Sequence, residues 1–449
     1  MRKVTAAFIV ATVFFSILSI TSCTKRNDGG GARAADTLTL TVLTHRTDRL
    51  ANGGDGSLEA MTKAFEAANN CRVAYQGYTD YASDVATMMN TKDYGDVLMI
   101  VDSVKIADLG VFFEPLGTFE ELNEKYLWAD VKMYQGAVYG LAHMGTVSGG
   151  VCYNKKVWAD AGIAKLPSTP EEFLADLQQI KNNIPNVIPY YTNYNSRWTQ
   201  VQWASLVVSA SGNPNYENEI LINKKPIFEK GGAYYNVWKL LFDVYRNPAL
   251  HEPDPMTDDW EGCKAAINDG RIATMVMGSW AVSQFKEAGP NPQDIGYMPA
   301  PFSVNGKQYA QSTSDYCMGV NKNSSAALKE LGKKYITWFI EESGFAQKEG
   351  GLSALRGSPT PDYLEAFANA ELFIAQSAPE PLVGVWDDIA KVSEVNPWGD
   401  ESGNFKFQIG DAAFAGRDES VFDSIVNAQN EKWAKARDAN AALAAYLAN

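Results

Sequence analysis

Histidine occurs only three times in 449 residues, as His45, His143 and His251, far apart along the chain. A His-rich metal site is therefore not expected, and nothing in the composition calls for a metal or another cofactor. Cysteine is sparse too. Beyond Cys23 there are Cys71, Cys152, Cys263 and Cys317, whose spacing fits no zinc pattern. The bland reading is four small buried thiols, with disulfides left open. Positive charge is short: 39 Lys and Arg stand against 53 Asp and Glu, a formal net charge of −14. That balance excludes general nucleic-acid binding, which needs a basic footprint. No nucleophile elbow occurs, no internal repeat, and no low-complexity block after residue 36. No run long and apolar enough to cross a membrane follows the N-terminal stretch.

The N-terminus is the one strongly hydrophobic region. Arg2 and Lys3 precede an almost wholly apolar run over residues 6–20, which ends in Ile20-Thr21-Ser22-Cys23. A basic start, a short apolar run and small residues at its end read as a signal peptide over residues 1–22. The last four residues resemble a bacterial lipobox, in which the cysteine carries the lipid, so Cys23 is the expected lipidation site. Residues 23–36 are then the lipidated cysteine and a polar, Gly/Ala-rich tether. Its thirteen residues after Cys23 span roughly 20 Å on average. The expected location is the extracytoplasmic face of a membrane.

From residue 38 the pattern alternates. Residues 38–43 (LTLTVL) read as a strand and Ser57 as the cap of a helix; residues 72–75 read as a strand, 80–89 as a helix and 96–101 (DVLMIV) as a buried strand. Strand and helix in turn imply a parallel sheet with right-handed crossovers. Thr169-Pro170-Glu171-Glu172 is a helix start with a capping-box glutamate. Residues 201–209 read as a helix holding Trp203 in the core. Residues 259–268 read as a helix, and 272–277 (IATMVM) as a buried strand that exits at Gly278-Ser279-Trp280. Helical spacing returns at 328–339 and 421–447. The length and the two α/β patterns imply two lobes, with the Pro-rich residues 290–301 as a connection between them.

Several stretches taken in order resemble the extracellular solute-binding proteins of carbohydrate-uptake ABC transporters, the group containing maltose-binding protein. They are YNKKVWADAGI (153–163), STPEEF (168–173), AINDGRIATMVMGSW (266–280), IGYMPAP (295–301) and GVNKNSSAAL (319–328). The resemblance implies an α/β, two-lobed periplasmic-binding-protein-like fold of type II with a hinge crossed three times. Lobe 1 would be 37–152 plus 318–360, and lobe 2 would be 153–317 plus 361–449. The implied function is capture of a mono- or oligosaccharide by cleft closure and delivery to ABC permease subunits, by a monomer that is not an enzyme. Residues 396–407 (NPWGDESGNFKF) look like an insertion.

A sugar presents apolar C–H faces and a girdle of hydroxyls. Its site needs aromatic rings together with carboxylates, amides or guanidinium groups, placed in loops after strands. Trp280 fits that position and matches the family's pocket aromatic, and Trp386 resembles a second one. Asn195 and Trp198 share the loop YNSRW (194–198). Arg46 and Asp48 follow the first strand. Asp80 stands at a helix start, where it could equally be an N-cap. Asp102 ends the strand DVLMIV. Asp315 and Arg356 lie at expected hinge crossings. Two readings compete: a binding protein for a cationic or other small solute, such as a polyamine or an iron complex, and an extracellular glycoside hydrolase, which would need paired carboxylates. Arg46, Arg197 and Arg356 weigh against a polyamine.

Overall fold

The computed structural model describes residues 37–50, 57–257, 259–400 and 403–448. The signal peptide, Cys23, the tether and the side chain of Asp48 lie outside the described residues.

The first sheet begins as the alternation predicts. Leu38–Thr44 pairs in parallel with Cys71–Gly77 on one side and with Val97–Met99 on the other. The linking helix Leu58–Asn69 starts where Ser57 accepts a hydrogen bond from the Ala60 N–H, and it ends at left-handed Asn70. Its Leu58, Thr62 and Phe65 are buried. The strand Cys317–Asn321 then enters this sheet antiparallel, between Val97–Met99 and Ala137–Ala142. Gly319 is required there, because a Cβ would lie 2.8 Å from Ile100 and Phe113. The helix Ala326–Glu341 buries Tyr335, Ile336 and Phe339 in the same core.

A second sheet is built on Gly150–Asn154, flanked antiparallel by Thr274–Val276 and Ile295–Pro299. All three strands are buried throughout. Its core is helix-rich and holds Trp158, Trp203, Trp238 and Trp433, each at most 2% exposed. Trp203 is a core residue as expected. Residues 290–301 do not connect two halves: Ile295–Pro299 is an integral strand of the second sheet.

The connection is a separate ribbon. Gly145–Ser148 pairs antiparallel with Tyr309–Ser314, which pairs in parallel with Glu371–Phe373. Leu352 bridges to Gly145 on the outer edge. The chain thus passes three times between the sheets: at 145–148, at 309–314, and between 352 and 371. The Trp128 ring packs so closely on Gly145 that a Cβ would sit 2.1 Å from it, and the indole N–H donates to the Ser312 carbonyl at 3.3 Å.

Other local expectations shift for physical reasons. Thr169 caps Pro170–Asn183, but Glu172 accepts its strongest hydrogen bonds from the Ser168 N–H and hydroxyl, which hold its carboxyl below the usual range. Residues 201–209 are not one helix, since the chain coils as Trp198–Val201, Gln202–Ser205 and Leu206–Ser211. The C-terminal helix breaks at Asn440, whose side chain caps Ala441–Leu447. Cys71, Cys152, Cys263 and Cys317 are free and buried, and burial pushes the Cys263 and Cys317 thiols up to about 12. No described helix is long and apolar enough to cross a membrane.

Candidate functional site

Strand direction decides which loops meet. Gly150–Asn154 leaves the ribbon, so its antiparallel neighbours run toward it and deliver their C-terminal ends there. Thr274–Val276 therefore brings Gly278-Ser279-Trp280 to the ribbon. The Ser279 N–H donates to the Val147 carbonyl at 3.0 Å, and the Val147 N–H donates to Ser279 Oγ at 2.9 Å. Ile188 bridges to Ile272 in parallel and Tyr190 to His251 in parallel. The loops after them consequently emerge at the same edge, carrying Trp198 and Trp260.

The three tryptophans converge. Trp198 and Trp260 lie 4.9 Å apart edge to face, Trp198 and Trp280 lie 6.0 Å apart, and Trp260 and Trp280 lie 6.1 Å apart. All three rings are half-buried, seated on the core of Val147, Cys263 and Phe285. The buried carboxylate of Glu252 fixes the loop beneath Trp198. It accepts from the Thr192 N–H at 2.9 Å, the Asn193 N–H at 3.0 Å and the Thr192 hydroxyl. A charge there is tolerated because several donors surround it.

The first-sheet side supplies polar groups. Arg46 forms an ion pair with buried Glu349 at 2.6 Å, and Arg49 pairs with the same carboxylate at 2.9 Å. Arg49 also reaches Glu287, at the end of the Trp280 helix, at 3.6 Å. Asp102 is exposed and stands 3.3 Å from Lys132. With Asp315 and Tyr316 these two line a cavity of about 180 Å³. Burial, then Asp102 and Asp315, push the Tyr316 hydroxyl up from its ordinary pKa. Asp315 lies 3.7 Å from His143.

The remaining expected residues have surroundings of their own. Asp80 precedes the helix Tyr81–Met88 and makes no side-chain capping bond. Asn195 is exposed in a one-turn 3-10 segment, while Arg197 turns away to stack 4.1 Å over the Phe407 ring. Arg356 is exposed and donates to the Asn123 carbonyl at 2.7 Å and to Asn123 Oδ1 at 2.9 Å. Trp386 packs 4.7 Å from Trp433 and stacks 6.0 Å from Tyr234. It also lines a larger cavity of about 1000 Å³, with Tyr134, Glu217, Asp387 and exposed Trp398. At this cavity Asp130 accepts a hydrogen bond from Ser377 at 2.9 Å, and Val131 lines both cavities. Burial, then Asp388, push the Asp387 carboxyl up.

Sequence reasoning missed Trp260, Glu252, Glu349 and the histidines. Trp260 had a signal, because Asp259-Trp260 opens a helix just as Ser279-Trp280 does. Glu252 and Glu349 had none, since their partners described above are 59 or more residues away. Separation along the chain also hid that the His45 and His143 rings lie 6.0 Å apart.

Known proteins agree with this architecture. BlMnBP1, the binding protein of an ABC transporter from Bifidobacterium animalis subsp. lactis, was solved in complex with mannobiose. It is 35% identical, with a TM-score of 0.80 over 90% of this chain and 95% of that one. BlMnBP2 of the same organism, solved with mannotriose, is 34% identical, also with a TM-score of 0.80 over 90% and 95%. The diacetylchitobiose binding protein DasA of Streptomyces coelicolor is 29% identical over 197 residues, 40% of this chain. That match spans 43% of DasA, so the chain aligns with less than half of this curated relative. The fold is the two-lobed, type II solute-binding fold of these structures. Residues 51–344 match the model for bacterial extracellular solute-binding proteins, and the chain belongs to that family.

Proposed function

We propose that the protein is an extracytoplasmic receptor for a short oligosaccharide, which it delivers to an ABC importer by closing its two lobes. The observation that carries this reading is the half-buried patch of Trp198, Trp260 and Trp280 at the mouths of three loops. Flat rings match the C–H faces of a pyranose, and the carboxylates of Asp102 and Asp315 can accept its hydroxyls. The likeness to two proteins solved with mannobiose and mannotriose favours a manno-configured ligand of two or three rings.

In this reading the ribbon is the hinge, and the expected lobes, 37–152 plus 318–360 and 153–317 plus 361–449, shift so that Gly150–Asn154 belongs wholly to lobe 2. The protein acts as a monomer that binds without catalysis, and Cys23 carries the lipid that holds it at the membrane. Replacing Cys23 by Ser should release it from the membrane fraction.

The test of the ligand is thermal unfolding of the domain beginning near Asp36 against mannobiose, mannotriose, chitobiose, raffinose and spermidine. A ligand at 100 times its Kd stabilises by about 2.7 kcal/mol. A shift with a manno-oligosaccharide supports the reading, and a shift with spermidine alone overturns it.

A further inference from the structure

We propose that His45, His143 and Asp315 form a binding site for one divalent transition-metal ion, of the class that imidazole ligands prefer. One ligand atom from each residue can be chosen so that all three lie within 4.8 Å of one another. His143 is oriented for the task. Its Nδ1 lies 2.8 Å from the Tyr316 carbonyl, an acceptor only, so in the neutral ring Nδ1 carries the proton and Nε2 the lone pair. This Nε2 is fully buried and has no hydrogen-bond partner; Asp315 Oδ2 stands 3.7 Å away. A buried ring nitrogen without a partner is costly, and a metal ion would satisfy it. A backbone acceptor on the far nitrogen is also the usual arrangement around a metal-bound histidine.

The rest of the cluster is built with the same economy. Asp315 Oδ1 accepts the Tyr316 N–H at 2.8 Å, which leaves Oδ2 directed to His143. The Asp315 N–H donates to the Met144 carbonyl at 3.0 Å, and the His143 N–H donates to the Tyr316 carbonyl at 3.2 Å. Two crossings of the chain are thereby joined at the ligands themselves. The His45 ring stands 5.0 Å from Tyr316 and 5.9 Å from Tyr81, and Phe345 lies 5.5 Å from His143. Such aromatic walls keep the local dielectric low and favour coordination over hydration.

Two imidazoles and one carboxylate suit Zn²⁺, Co²⁺ or Ni²⁺ better than Ca²⁺ or Mg²⁺, which take oxygen ligands. Three protein ligands leave a position open. Of the three ligands, Asp315 also lines the cavity of about 180 Å³. The ion would tie the end of the first strand to the base of the hinge.

The experiment is titration of tag-free, chelator-stripped protein with Zn²⁺ by calorimetry and with Co²⁺ by visible absorption. One equivalent of each should bind, and Co²⁺ should develop the intense d–d bands of a low-coordinate site. His143→Gln and Asp315→Asn should each weaken Zn²⁺ binding by at least about 100-fold. Asp315→Asn keeps every backbone bond of the hinge, so it reports even where His143→Gln fails to fold. Absence of stoichiometric uptake, or uptake unchanged in Asp315→Asn, overturns the proposal. Sugar binding by the stripped protein is a separate measurement, so the two readings fail independently.

Discussion

Two aromatic groups in the second-sheet half look alike in sequence and differ in what holds them. Trp280 stands with Trp198 and Trp260, each on a different loop and each with ring surface left half-exposed above a packed floor. Trp386 has Trp433 at 4.7 Å and a stacked Tyr234 at 6.0 Å, both essentially fully buried. Its indole N–H is buried and has no hydrogen-bond partner. The first group packs among its own rings above that floor, and the second is a wedge, equally half-buried, that leans on Trp433 and Tyr234 while lining the cavity of about 1000 Å³. A tryptophan beside a helix start can thus stand among other half-buried rings, as Trp280 does, or lean on the core beside a cavity, as Trp386 does.

The largest expected effect separates the two directly. Trp280→Ala removes one wall of the exposed patch and should weaken oligosaccharide binding by about 100-fold, near 2.7 kcal/mol. Calorimetry measures it, with the unfolding midpoint as control. Trp386→Ala should do the reverse. Loss of a packed indole costs about 3 kcal/mol of stability, with affinity changed by less than about fivefold. An affinity loss in Trp386→Ala as large as that in Trp280→Ala would show that the wedge also lies in the ligand's path.

The carboxylates beside the wedge give a smaller effect. Glu217 accepts a hydrogen bond from the Tyr234 hydroxyl at 2.7 Å, and burial raises its pKa, with Asp387 adding repulsion. A raised carboxyl favours the folded state in its protonated form. Its contribution is complete below the unfolded pKa and is lost as pH rises through the folded one. Glu217→Gln keeps an acceptor for Tyr234 without the charge. It should melt higher than wild type at pH 7 and lose that advantage at pH 4. Equal melting points at both pH values would mean that the buried charge carries no penalty.

What the sequence disclosed follows from what is local. The alternation of residues 38–43, the Ser57 and Thr169 caps and the exit of 272–277 into Trp280 depend on neighbours within a few positions, and the structure keeps them. Meetings between distant segments were hidden. Trp198, Trp260 and Trp280 become one surface only because three strand ends share an edge. Glu349 meets Arg46 only after the chain has crossed the ribbon twice. Residues 290–301 misled because proline is read as a linker signal, although here Pro299 closes the second sheet's strand.

The smallest expected effect concerns the bonds that join the halves beside each aromatic group. At the open patch Arg49 reaches Glu287 at 3.6 Å, and Glu287 is largely exposed. At the wedge Ser377 donates to Asp130 at 2.9 Å. An exposed ion pair contributes only about 0.2–1 kcal/mol and weakens with salt. If both bonds form only when the lobes approach, Glu287→Gln and Ser377→Ala each loosen the closed state without touching the ligand. Affinity should fall by less than about fivefold in each, through a faster dissociation rate. The Glu287→Gln deficit should shrink as salt is raised, because the wild-type pair is itself screened, whereas the Ser377→Ala deficit should stay constant. Stopped-flow tryptophan fluorescence at two salt concentrations measures both. A salt-independent Glu287→Gln deficit would mean that Glu287 acts through its helix and the Trp280 ring rather than through Arg49.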